Sequence, residues 1–95
     1  MPQDTSHTPR RWERQPSKIP ISIVLEADPF KADDSATTVD VSLRGVGVRT
    51  KLLLVPGEWV GVVAKGNNPR SIPGLVVWVR RDESSQLTVA GLQFF

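Results

Sequence analysis

From Ile19 onward the chain is divided into short segments in which every second side chain is apolar, and no segment carries the capped 3.6-residue period of an amphipathic helix. Ile19, Ile21, Ile23 and Leu25 alternate with Pro20, Ser22, Val24 and Glu26. Thr37, Val39, Val41 and Leu43 alternate with Thr38, Asp40, Ser42 and Arg44, which predicts an apolar inner face and a polar outer one. Further strands are expected after the Pro56-Gly57 turn, from Leu75 to Arg81, and from Gln86 to Phe95. Residues 28–35, 66–69 and 82–85 read as turns, Gly45 and Gly47 as a bend, and Gly91 as a bulge or close-approach point. Pro20 removes a ladder donor and belongs at a rim. Five or six strands joined by short turns predict a small antiparallel barrel or sandwich. A barrel is preferred, because closure removes exposed edges.

Composition narrows the function before any motif is read. The 95 residues hold no Cys and a single His, His7, which excludes thiolate metal sites, disulfides and Cys nucleophiles. The longest apolar run covers residues 75–79, far short of the ~20 residues a membrane-spanning helix needs. Residues 1–9 are polar and lack the apolar core of a secretory signal, so a cytoplasmic location is expected. A His7–Asp40–Ser42 triad fails on His7, which has nothing in the sequence to fix its orientation. Asp33 and Asp34 read as turn solvation, with no octahedral ligand set around them. A non-enzymatic domain without metal or cofactor is expected.

The formal charge of +2 is unevenly placed. Residues 1–18 carry Arg10, Arg11, Arg14 and Lys18 against Asp4 and Glu13, whereas residues 19–95 are balanced. With Pro2, Pro9 and Pro16 and no hydrophobic period, residues 1–18 read as a flexible arm, and residues 19–95 as the barrel domain. A general nucleic-acid binder needs phosphate contacts spread over a face. A compact arginine cluster points instead to a small anionic partner.

Two motifs carry that expectation. Arg10-x-x-x-Arg14 places two guanidinium forks on a short segment, suited to phosphate oxygens or the O6/N7 edge of guanine. The bland alternative is a solvated basic tail. Asp40-x-Ser42-x-x-Gly45 places a carboxylate and a hydroxyl on one strand face beside a glycine that admits close approach. A carboxylate can accept from guanine N1–H and N2–H₂, and a hydroxyl can serve phosphate or ribose. The bland alternative here is an ordinary polar outer face.

Arg10-x-x-x-Arg14 followed by Asp40-Val41-Ser42-Leu43-Arg44-Gly45, on a small all-β chain, resembles the PilZ domain family. Residues 74–78, Gly-Leu-Val-Val-Trp, and residues 91–94, Gly-Leu-Gln-Phe, are similar to that family's last two strands. The resemblance covers about residues 9–95. It implies a six-stranded antiparallel barrel that binds the bacterial second messenger cyclic di-GMP. Signalling to a protein partner, with no membrane insertion, is the expectation that follows. It implies that Arg10 and Arg14 clasp guanines and phosphates while Asp40, Ser42 and Gly45 line the wall. Trp78 falls where some members have an aromatic touching the ligand; a core Trp is the alternative. Arg11 has no motif position and reads as an auxiliary phosphate contact or as solvated charge.

The sequence departs from the family in two places. Pro9 stands before Arg10, where many members have a basic or aliphatic residue, which leaves one bound ligand or a stacked pair open. No substantial C-terminal helix is expected before Phe95. Two other functions remain: a PilZ-like interaction module without nucleotide affinity, and an OB-like barrel for single-stranded nucleic acid. The second needs a groove of exposed aromatics, yet Tyr is absent and the barrel is neutral. Trp12 reads as an anchor for the arm or a base-stacking ring, and Trp59 and Phe94 as core or rim packing.

Overall fold

The structure, a computed structural model, describes residues 14–95. These form seven strands: β1 Gln15–Pro16, β2 Pro20–Leu25, β3 Ala32–Val41, β4 Gly45–Thr50, β5 Trp59–Ala64, β6 Ser71–Asp82 and β7 Leu87–Gln93. All pairings are antiparallel, in the order β1-β3-β2-β5-β6-β7-β4, and a β3–β4 pairing closes the ring. Six strands therefore make a closed barrel, as the short alternating segments predict, and β1 is an addition to it. Among the described residues no helix is long and apolar enough to cross a membrane.

The interior is filled by aliphatic side chains from every barrel strand, including Ile21, Ile23, Ala36, Val48, Val60, Val76, Ala90 and Leu92, with Leu54 contributed by the β4–β5 loop. Full burial of one such Val, Leu or Ile stabilises the fold by about 1.5–3 kcal/mol. Pro20 and Pro73 sit where the sheet tolerates a missing donor. Pro20 pairs with Thr37 before the β5 pairing begins at Ile21, and Pro73 pairs with Gly61 before β7 joins β6 at Leu75.

The barrel corrects the expected faces of β3. The side chains it buries are Asp33, Ala36 and Thr38, Val41 packs partly on the core, and Leu43 is 73% exposed. The cause is two register shifts. Ile21 and Ile23 oppose Ala36 and Asp33, and Thr38 and Asp40 oppose Val48 and Gly47, so β3 carries an extra residue at each place. Each bulge reverses the inward parity, giving inward steps of three, two and three residues. The strand also begins at Ala32, inside the stretch read as a turn, and Gly45 and Gly47 are strand residues rather than a bend.

Asp33 is buried rather than solvated. Its Oδ2 accepts from Thr50 Oγ1 and Lys51 N, both at 2.8 Å, and its Oδ1 accepts from Ser35 N at 2.9 Å and Ser35 Oγ at 2.7 Å. Burial alone would raise its pKa, but the bonds from Lys51, Ser35 and Thr50 outweigh that and hold it at about 2.

β1 and β2 run end to end along β3. Gln15 and Pro16 oppose Val41 and Asp40, while Pro20 opposes Thr37. Between them Ser17 N donates to Val39 O, Thr38 N to Ile19 O, and Ile19 N to Thr38 Oγ1. Residues 15–19 are thus attached to the barrel wall, ahead of the boundary at residue 19 that the composition suggests.

Candidate ligand-binding site

The site is built on one row of paired residues crossing four strands. Asp40 of β3 opposes Gly47 of β4, Gly47 opposes Gly91 of β7, and Gly91 opposes Trp78 of β6. Val48 and Ala90, next in line on β4 and β7, point into the core, so this row faces outward. Its two central members are glycines for a packing reason. A Cβ at Gly47 would lie 2.5 Å from Asp40 Oδ1, and one at Gly91 would lie 2.1 Å from Trp78 Nε1. A carboxylate oxygen and an indole therefore pack directly over a glycine floor.

Trp78 reaches that floor because of a third bulge. Val76 opposes Leu92 and Trp78 opposes Gly91, leaving Val77 as an extra residue in β6. Without it Trp78 would share the inward face of Val76. With it, the indole turns outward and is 41% exposed. This answers the alternative of a core Trp.

Arg14 precedes β1, whose pairing with β3 brings it beside Asp40; Arg14 Nε stands 3.0 Å from Asp40 Oδ1. The same oxygen accepts from Gly47 N at 3.1 Å. A guanidinium carries five donors, so one carboxylate contact does not exhaust it.

Ser42 and Gly45 close the β3–β4 turn. Ser42 N donates to Gly45 O at 2.9 Å, leaving Leu43 and Arg44 as a two-residue loop, and Phe94 N ties that loop to β7 by donating to Arg44 O at 2.8 Å. Gly45 has no room for a side chain: its Cβ would lie 2.3 Å from Leu92 O of β7. Ser42 directly follows β3, two positions after Asp40.

These elements enclose an open cavity of about 320 Å³, lined by Arg14, Ser42, Arg44, Gly45, Trp78 and Gly91 among others. Of the residues singled out in the sequence, Arg14, Ser42, Gly45 and Trp78 meet here, and Asp40 joins them through Arg14. Arg10 and Arg11 lie outside the described residues, as do His7 and Trp12. Arg44 and Gly47 were not singled out. Arg44 carried a signal, since it alternates with Ser42; Gly47 carried only its place in a glycine pair.

Chemically the cavity offers guanidinium donors, a hydroxyl and an aromatic face above backbone left bare by glycine. Such a set takes an anion that also carries a flat ring. A second cavity lies beside Glu26, Glu58 and Trp59, and the Trp59 ring stacks at 50° on Phe95 with centroids 5.8 Å apart. Phe94 packs against the core.

No curated protein matches the chain. The family model described as PilZ domain matches residues 8–95, nearly all of the sequence, and the chain belongs to the PilZ domain family.

Proposed function

We propose that the protein is a cyclic di-GMP receptor that holds the messenger between its N-terminal arginines and the outer wall of the barrel, and passes the bound state to a protein partner. PilZ domains are binding modules rather than enzymes, and the family is one of cyclic di-GMP binders. The observation that carries the reading is Arg14, held by Asp40 on the edge of the cavity that Ser42, Gly45 and Trp78 line. Arg14, with Arg10 before it and Arg11 as an auxiliary, supplies phosphate and guanine donors. Trp78 offers a face to a base, and Asp40 an acceptor for guanine.

Calorimetric titration with cyclic di-GMP, using GTP and an oligonucleotide as controls, tests this. Saturable binding of cyclic di-GMP in the micromolar range or tighter, with neither control binding comparably, is the expected result. A second reading, an interaction module without nucleotide affinity, has one observation in its favour: Asp40, Ser42 and Gly45 already have intramolecular partners. Absence of any heat or chemical-shift change at millimolar ligand would establish it instead.

A further inference from the structure

We infer that Arg44, the residue before Gly45, is a phosphate-binding residue of this site, lining the same cavity as Arg14; the inference rests on the cyclic di-GMP reading. Both arginines line the same space, but they arrive on different supports. Arg14 comes from the N-terminal segment and Arg44 from the β3–β4 loop. The loop is held at both ends: Ser42 N donates to Gly45 O at 2.9 Å, and Phe94 N to Arg44 O at 2.8 Å. The backbone that carries the guanidinium is thereby closed on itself and tied to the segment after β7 before ligand arrives, which lowers the ordering cost of its contact.

The electrostatics of the Arg14 side call for such a residue. Arg14 Nε is 3.0 Å from Asp40 Oδ1, so a phosphate drawn to Arg14 also approaches a carboxylate of like charge. A second guanidinium lining the same cavity offsets that repulsion. It also supplies a separate fork for a ligand with two phosphodiesters, where a single arginine would serve only one. Arg44 together with Arg14 therefore favours a cyclic dinucleotide over a cyclic mononucleotide.

The test is titration of the full chain, wild type, Arg44→Ala and Arg44→Lys, with cyclic di-GMP and with cyclic GMP at two salt concentrations. Arg44→Ala should weaken cyclic di-GMP binding by about tenfold or more, as for loss of one charge-assisted contact. The slope of log affinity against log salt should become shallower, because one phosphate contact is gone. Arg44→Lys should recover part of the affinity and most of the salt slope. Both variants should stay folded at the titration temperature, as thermal melts check, since the loop is tied through backbone atoms. Wild-type affinity and an unchanged salt slope in Arg44→Ala would overturn the inference while leaving the receptor reading intact. Wild type that binds no cyclic di-GMP would overturn both.

Discussion

One carboxylate oxygen, Asp40 Oδ1, holds Arg14 Nε at 3.0 Å while also accepting Gly47 N at 3.1 Å. The N-terminal segment is therefore bonded to β4 through a side chain of β3, and Arg14 is presented to the cavity by the barrel itself. Residues 15–19, the end of the stretch that reads as a flexible arm and the start of the barrel domain, are attached along β3.

Asp40→Ala and Asp40→Asn separate the two jobs of that oxygen. The alanine variant leaves Gly47 N without its acceptor and should lose about 1–2 kcal/mol in chemical denaturation. The asparagine variant keeps an amide oxygen for Gly47 and loses only the charge facing Arg14, a half-exposed pair whose contribution is under about 1 kcal/mol. Equal losses in the two variants would show that the Gly47 bond is not what Asp40 contributes.

Arg14→Ala should divide oppositely between folding and binding. Folding should change by under about 1 kcal/mol, because the ion pair is solvent-screened. Cyclic di-GMP affinity should fall by about 2–3 kcal/mol, roughly 30- to 150-fold. Denaturation and titration of the same sample check both; an unfolded variant would make Arg14 structural.

The glycines should rank by what their missing side chains would strike. Gly45→Ala drives a Cβ against the Leu92 carbonyl in β7, which is backbone, and should cost about 1–3 kcal/mol or prevent folding. Gly91→Ala meets the Trp78 indole, which is half exposed and free to swing outward. Its stability loss should be smaller, with a change in tryptophan fluorescence and weaker ligand binding. Thermal melts showing Gly91→Ala as the more damaging change would contradict the glycine-floor account.

Asp33 predicts an acid limb to stability. Its folded pKa, about 2, lies below the ordinary 3.8, so its ionised form is favoured by folding. That contribution, about 2 kcal/mol, is complete above pH 4 and disappears as the pH falls toward 2. Half-buried Asp82, whose pKa is lowered by Ser84 and Ser85, shifts in the same direction. Asp33→Asn should flatten the loss between pH 4 and 2 in denaturation curves; an unchanged slope would place the acid sensitivity elsewhere.

Strand alternation made the barrel legible wherever pairing is regular. In β2, Ile21, Ile23 and Leu25 point inward as their period requires. The same rule failed on β3, because a bulge inserts a residue without leaving a mark in hydropathy. Alternation places Thr38 outside, yet it is buried and bonded to Ser17 and Ile19. Trp78 shows the converse: an apolar residue in an apolar run looks like core, and only the extra Val77 turns it outward. The site motif was legible as spacing, but spacing did not say that Asp40 bonds Gly47, because that contact depends on the β3–β4 register.

The most direct measurement is the map of amide and indole N–H chemical shifts as cyclic di-GMP is titrated into the full chain. The account predicts saturable shifts at Arg44, Gly45, Gly47, Gly91 and the Trp78 indole, with Glu26, Glu58 and Trp59 around the second cavity unmoved. Shifts centred on Trp59, or none at millimolar ligand, would contradict it.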